Sequence, residues 1–211
     1  MNARNGAPRP ERLIGVVGTG TEVGKTWVTS HLLRLLKSRG LRVAARKPVQ
    51  SFEPPSNDSD AEQLAAATAE NVEDVCPRHR WYPVAMAPPM AADVLRREPI
   101  LLDDLVRGIV WPADIDVGFV ETVGGVRAPL AHDADSVDLI RKLLVDEVLL
   151  VADAGLGTLN AVRLSLECLK PLRVAVFLNR YDESSELHRL NRQWLLEKDG
   201  VRVITAVEDW K

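Results

Sequence analysis

Gly18-Thr19-Gly20-Thr21-Glu22-Val23-Gly24-Lys25-Thr26 is the stretch on which the fold turns. It follows an apolar run at 13–17, rich in β-branched residues, and opens a segment of helical spacing at 25–39. Strand, glycine-rich turn and helix in that order aim backbone N–H groups and a helix N-terminus at an anion. Lys25 supplies a point charge for the outer phosphates of a nucleotide, and the Thr26 hydroxyl suits Mg²⁺. Gly20, Thr21, Glu22, Val23 and Gly24 are the positions expected to wrap the phosphates. The usual spacing puts a glycine five residues before Gly24, where Thr19 stands; the extra glycine is Gly18. The bland alternative is a glycine-rich turn that binds nothing. The Gly-Lys-Thr ending in its strand–loop–helix context weighs against it.

Outward from the loop, strand and helix patterns alternate. Trp27, Leu32, Leu35 and Leu36 are read as the apolar side of the first helix, and Gly40 stops it. Residues 42–47 predict a strand ended by Pro48. Asn57-Asp58-Ser59-Asp60 then offers capping side chains to an alanine-rich helix reaching about residue 69. Residues 71–89 are punctuated by proline and yield no assignment; helical segments follow near 89–97 and 101–110. Further strands are predicted at 117–121, 147–152, 173–178 and 201–206, and helices at 136–144, 159–170 and 184–198. This alternation predicts an α/β, P-loop NTPase-like fold: a mostly parallel sheet with helices on both faces. Ligands then bind beyond the carboxyl ends of the strands, which puts the loops after Val17, Lys47, Val120, Val151 and Leu178 on one edge. Residues 13–211 read as one domain and residues 1–12 as a frayed tail.

A net charge of −3 argues against a basic nucleic-acid-binding face. No apolar run reaches the length of a membrane span, and the first residues carry no signal-peptide core, so neither nucleic acid nor membrane is expected as a partner and the expected location is cytoplasmic. Cys76 and Cys168 are too few for a disulfide framework and read as packing thiols.

Four polar residues are candidates for a site. Lys47 ends the second strand, where it can serve an anion or simply be solvated. Asp60 begins a helix, so capping is its simplest role. Glu121 ends an apolar strand; a carboxylate there lies near Mg²⁺ or is structurally paired. Asn179 follows another apolar strand, where its amide can read a base or form a turn. Gly124-Gly125 permits close backbone approach to a ligand or is an ordinary turn. No histidine is assigned a role.

Taken together, Gly18–Thr26, Lys47-Pro-Val-Gln-Ser51, Asp58-Ser-Asp60, Val120-Glu121 with Gly124-Gly125, Leu156-Gly-Thr-Leu-Asn160 and Asn179 resemble the dethiobiotin synthetases. The resemblance implies a carbon–nitrogen ligase that closes the ureido ring of dethiobiotin from 7,8-diaminopelargonate, CO₂ and ATP through a carbamic–phosphoric anhydride. It implies that Lys25 binds the phosphates, that Thr26, Asp60 and Glu121 surround Mg²⁺, and that Lys47 serves the carbamate and the transferring phosphoryl group. Thr21, Glu22 and Ser51 are implied near the substrate, and Asn179 at the base. Thr158, Leu159 and Asn160 match a segment that reaches the partner subunit's substrate across a homodimer.

The sequence departs from the family at three places. Glu121-Thr122-Val123-Gly124-Gly125 replaces Glu-Gly-Ala-Gly-Gly, putting β-branched side chains where backbone approaches the reacting groups. Phe52 follows Ser51 where glycine is common, and its bulk reshapes the substrate site. Residues 203–211 lack a Gly-x-Ile-Pro stretch that helps enclose the base. Three other functions compete. A switch ATPase of the partition and division-site class normally carries a second lysine at the place of Gly20. A carboxylate-amidating relative normally carries a glutaminase domain. A divergent paralogue would bind nucleotide with little ligase activity.

Overall fold

The computed structural model describes residues 8–54 and 59–210. Asn57 and Asp58 of the expected capping run, and residues 1–7 of the expected tail, lie outside them. In chain order β1 (Arg12–Gly18), α1 (Lys25–Ser38) and β2 (Val43–Arg46) come first. An excursion follows: β3 (Gln50–Ser51), α2 (Asp60–Thr68), α3 (Val72–Val75), β4 (Trp81–Tyr82), α4 (Pro88–Val94) and α5 (Leu102–Arg107). Next come β5 (Val117–Gly125), a small hairpin of β6 (Pro129–Ala131) and β7 (Ala134–Asp135), and α6 (Ser136–Leu143). The chain closes with β8 (Glu147–Asp153), α7 (Thr158–Leu169), β9 (Val174–Asn179), α8 (Glu186–Glu197) and β10 (Arg202–Ile204).

Six strands form one sheet in the order β10-β9-β8-β1-β5-β2, and every pairing in it is parallel. The period of two along each strand feeds two cores. Ile14 and Val16 of β1, with Leu149 and Val151 of β8, join Val28, Leu32 and Leu33 of α1 and Leu64 of α2 on one face. Leu13 and Val17, with Val148, Leu150 and Ala152, join Ile140 of α6, Val162 of α7 and Leu195 of α8 on the other. Helices on both faces were expected, and β1 lies at the sheet's interior with its loop at the carboxyl edge. Gly15 lets α6 close on β1: a Cβ there would lie 2.5 Å from Ile140 Cδ1. Among the described residues, no helix is long and apolar enough to cross a membrane.

Several expectations shift at their boundaries. The buried stripe of α1 is Val28, Leu32, Leu33 and Leu36; Trp27 is 49 % exposed and lies off that stripe, on the cleft side. The cap of α2 is Ser59, whose side chain accepts from Glu62 N–H while Glu62 reciprocates in a capping box. Asp60 is therefore released from capping. The segment 71–89 resolves into α3, β4 and the start of α4, with β4 pairing β3 in parallel. Residues 9–12 are tied to the body rather than frayed. Arg9 Nη2 is 3.1 Å from Asp146 Oδ2, Glu11 N–H donates to Ile115 O, and Arg12 opens β1.

Candidate active site

The phosphate loop runs from the end of β1 into α1, and its backbone explains its sequence. Gly24 has φ of 90°, in the left-handed region that favours glycine. A Cβ at Gly24 would also lie 2.1 Å from Asn179 Nδ2. Gly18 is where two segments crowd: a Cβ there would meet Gly20 O at 2.8 Å and Gly124 O at 3.0 Å. The offset glycine thus accommodates the close approach of β5. Asn179, the last residue of β9, donates from Nδ2 to Val23 O at 3.0 Å and so holds the loop itself. Arg180 continues this clamp, donating to Glu22 O at 3.0 Å and pairing with Asp153 at 2.9 Å.

Lys25 opens α1 and is nearly enclosed. Its Nζ donates to Gly20 O at 3.2 Å and Gly124 O at 2.9 Å. Burial, and next the positive charge of Lys47, push its pKa down to about 8, while Glu121 and Asp60 pull it upward. Lys47 is 1 % exposed, so it is not the solvated strand-end lysine that composition alone allowed. Its Nζ lies 2.7 Å from Asp60 Oδ2, 2.8 Å from Glu121 Oε1 and 3.1 Å from Thr122 O. Burial opposes its charge, but Asp60 and Glu121 outweigh burial and hold its pKa above the usual lysine value. Burial likewise opposes ionisation of Asp60, and Lys47 outweighs it, leaving that carboxyl below its usual range. The Thr26 hydroxyl completes the group, 2.8 Å from Asp60 Oδ1 and 2.7 Å from Glu121 Oε1. Sequence positions 26, 47, 60 and 121 are thereby brought together.

The donor set fits a hard divalent cation. It is all oxygen, two carboxylates and one hydroxyl. Glu121 Oε2 is buried without a hydrogen-bond partner, which costs about 1–3 kcal/mol unless a ligand or ion meets it. Among the described residues no cluster of three or more His, Cys, Asp or Glu side chains could hold a metal ion. Two carboxylates and a hydroxyl are what Mg²⁺ uses when triphosphate oxygens and water complete its shell.

These groups open onto a cleft of about 720 Å³. Thr21, Glu22, Lys25, Thr26, Lys47, Ser51 and Asp60, all candidates from the sequence, line it. Gln50, Gln63, Trp27 and the strip from Ala85 to Pro88 line it as well and were not anticipated. Gln50 sits inside Lys-Pro-Val-Gln-Ser and was legible in principle. The strip carries no polar signature; the Ser51 hydroxyl donates to Met86 O at 2.6 Å and ties it to β3. Phe52 lies on the same wall, edge-on to Trp81 with centroids 5.9 Å apart. Thr122 turns away from the cleft and donates from Oγ1 to Val16 O, whereas Val123 lines it. Their β-branched side chains extend β5 beyond its expected end at 121 to Gly125. Thr158, Leu159 and Asn160 are not brought to this cleft: they begin α7, beyond the end of β8. Cys76 is buried with its thiol pushed up to about 12 by burial, an inert packing residue.

A parallel sheet whose interior strand hands a glycine loop, a lysine and a threonine to a helix defines a P-loop nucleotide-binding α/β protein. Solved structures agree at the level of fold. A signal recognition particle receptor FtsY from Elizabethkingia anophelis superposes with a TM-score of 0.55 at 18% identity, covering 96% of this chain and 62% of that one. A chloroplast FtsY from Physcomitrella patens gives 0.52, also at 18%, covering 98% and 63%. The chain thus spans less than two thirds of either receptor chain. A family model described as an AAA domain matches residues 12–210. Curated relatives are more specific. An ATP-dependent dethiobiotin synthetase BioD of Haloferax mediterranei is 39% identical over 90% of this chain and 81% of its own length. Its counterparts in Brachyspira hyodysenteriae (30%, covering 94% and 92%) and Caulobacter vibrioides (39%, covering 74% and 72%) agree. The chain belongs to the family of ATP-dependent dethiobiotin synthetases, and is a carbon–nitrogen ligase as its resemblance implied.

Proposed function

We propose that this cleft closes the ureido ring of dethiobiotin from 7,8-diaminopelargonate, CO₂ and ATP. The observation that carries the reading is the gathering of Lys25, Lys47, Thr26 and Asp60 on one cleft, with the buried Glu121 carboxylate bonded to Lys47 and Thr26 behind them. One substrate amine adds to CO₂ and loses a proton, giving a carbamate. A carbamate oxygen attacks the γ-phosphorus as the β,γ-bridging P–O bond breaks and ADP leaves. The second amine attacks the carbamoyl carbon, phosphate departs, and the ring closes with loss of a proton. Lys25 and the loop N–H groups hold the β- and γ-phosphates in line, and Lys47 offsets negative charge on the carbamate and the moving phosphoryl group. Thr26, Asp60 and Glu121 would hold Mg²⁺, whose contribution is to neutralise charge on the phosphates. The wall of Phe52, Met86 and Pro88 suits the apolar chain of the diamine, and Asn179, bonded to Val23 O, stands beside the phosphate loop, where it would contact the base.

A homodimer is part of the same reading. Among the described residues, the cleft offers no cation besides Lys25 and Lys47 to receive a distal carboxylate. The N-terminus of α7 lacks a side-chain cap and has no acidic residue in its first turn. The Thr158 hydroxyl there is buried without a partner, and neighbouring Leu156 is 92 % exposed. Those features suit α7 for the carboxylate of a substrate seated in a second copy, through Thr158, Leu159 and Asn160. A ligase of this kind, drawing on ATP and CO₂, is proposed to work in the cytoplasm.

The test is phosphate release from ATP, measured with and without diaminopelargonate and bicarbonate. Release dependent on both supports ring closure; release indifferent to either removes it. Sedimentation of the purified chain as a monomer at working concentration would remove the shared site.

A further inference from the structure

A ring-closing ligase needs Lys47 to receive a substrate anion, yet Lys47 has nothing left to offer. An ammonium carries three protons, and here three acceptors take them: Asp60 Oδ2, Glu121 Oε1 and Thr122 O. The side chain is 2 % exposed. The acceptors are not incidental. Asp60 and Glu121 are the two carboxylates that also flank the Thr26 hydroxyl, which has one proton for two carboxylate oxygens. Lys47 therefore stands on the oxygens that suit a divalent ion. One carboxylate oxygen of that group, Glu121 Oε2, is left buried and unpartnered.

We propose that Lys47 is a built-in placeholder for the divalent cation, and that its transfer from Asp60 and Glu121 to the substrate anion is driven by metal–nucleotide binding. The charges support this. Two carboxylates balance Lys47 and Lys25 in the free protein. A divalent ion arriving on the same carboxylates leaves Lys47 with neither its counter-charge nor its acceptors, and a like charge a few ångströms away repels it. Glu121 Oε2, buried and without a partner, leaves that carboxylate an unused oxygen for the ion once Lys47 has moved. Once displaced, Lys47 turns its protons to the cleft, where a carbamate is the available anion. Binding is then ordered: metal–triphosphate first, tight capture of the anionic substrate second. The device keeps two buried carboxylates neutralised when no nucleotide is present, and withholds the second lysine until the phosphoryl donor is in place.

This inference takes from the ligase reading only the identity of the anion that Lys47 receives; the exchange itself is tested without substrate. Mn²⁺ binding, followed by the loss of the free-ion electron paramagnetic resonance signal, compares the wild-type chain with Lys47→Met, nucleotide absent. Removing the competing ammonium should tighten Mn²⁺ binding about tenfold or more, and Lys47→Met combined with Glu121→Gln should lose the gain. Equal or weaker Mn²⁺ binding by a folded Lys47→Met overturns the proposal. The wild-type chain offers a second measurement should that variant fail to fold. A crystal grown with Mn²⁺ and a non-hydrolysable ATP analogue should show Lys47 Nζ beyond about 3.5 Å from both carboxylates, outside hydrogen-bond reach. Lys47 still bonded to both, with metal bound, overturns it equally. Failure of substrate-dependent phosphate release would count against the ligase and leave the Mn²⁺ result standing.

Discussion

Lys25 should make nucleotide binding fall with rising pH, in a window set by its surroundings. Buried beside Lys47, it has a pKa of about 8 in the free protein, against 10.5 for an ordinary lysine. A bound triphosphate brings negative charge to Nζ and restores the protonated form. Nucleotide therefore binds the protonated protein preferentially. Its dissociation constant should be flat below pH 7.5 and rise up to about tenfold per pH unit above 8. At pH 8.5 about three-quarters of the free protein has an uncharged Lys25, so binding should take up roughly three-quarters of a proton. Isothermal titration calorimetry of a non-hydrolysable ATP analogue, in buffers of differing ionisation enthalpy, reads both quantities. Lys25→Ala should bind about 10- to 150-fold more weakly at pH 7, from the loss of a charged hydrogen bond worth ~1.5–3 kcal/mol, and should lose the pH dependence. Stability has its own sign. The folded pKa lies below the unfolded one, so the unfolded chain holds more protons between about 8 and 10.5, and the penalty from this group shrinks as pH rises through that window. Wild-type affinity that stays constant from pH 7 to about 9.5, without proton uptake, would refute the claim that Lys25 is buried beside a like charge.

Three further outcomes are expected. Glu121→Gln leaves Lys47 one counter-charge, Asp60, instead of two; it should cost ~1–3 kcal/mol in chemical denaturation and abolish the response of turnover to Mg²⁺, and an unaltered Mg²⁺ dependence would make Glu121 purely structural. Gly24→Ala forces a side chain to φ of 90° and onto Asn179 Nδ2, so Asn179 must leave Val23 O. Denaturation should show a loss of ~1–3 kcal/mol with weaker nucleotide binding, and wild-type stability and affinity would contradict the clamp. Phe52→Gly removes a wall of the cleft, so the preference for diaminopelargonate over a diamine one methylene longer should relax; the ratio of kcat/KM values measures it, with about 10-fold or more at stake per methylene, and an unchanged ratio would take Phe52 off the substrate.

How legible the site was depended on how local its logic is. The phosphate loop could be read directly because its chemistry lies within nine consecutive residues and a strand–helix context that hydrophobic periodicity reveals. Lys47, Asp60 and Glu121 lie far apart in sequence, and each alone had an ordinary explanation. The parallel register brings two of them together: Val16 pairs Glu121 across β1 and β5 and Arg46 pairs Val120 across β2 and β5, so Lys47, just past β2, meets Glu121 within β5, and the start of α2 sets Asp60 against Lys47 as well. Asn179 shows the limit in the other direction. Its position past an apolar strand was legible, but its bond to Val23 O was not, because nothing local couples β9 to a loop 156 residues earlier.

By itself the sequence determined the α/β class, the phosphate loop and the lysine–threonine pair, since these rest on short-range periodicity, glycine sterics and helix-end electrostatics. Only the tertiary structure decided that Gly18 is required by the approach of Gly124, that β5 runs on through Thr122 and Val123, and that Met86 walls the cleft. It alone decided that Lys47 is buried with all three protons engaged. Burial and hydrogen-bond saturation are properties of what surrounds a side chain, and those surroundings come from strands and helices distant in the chain.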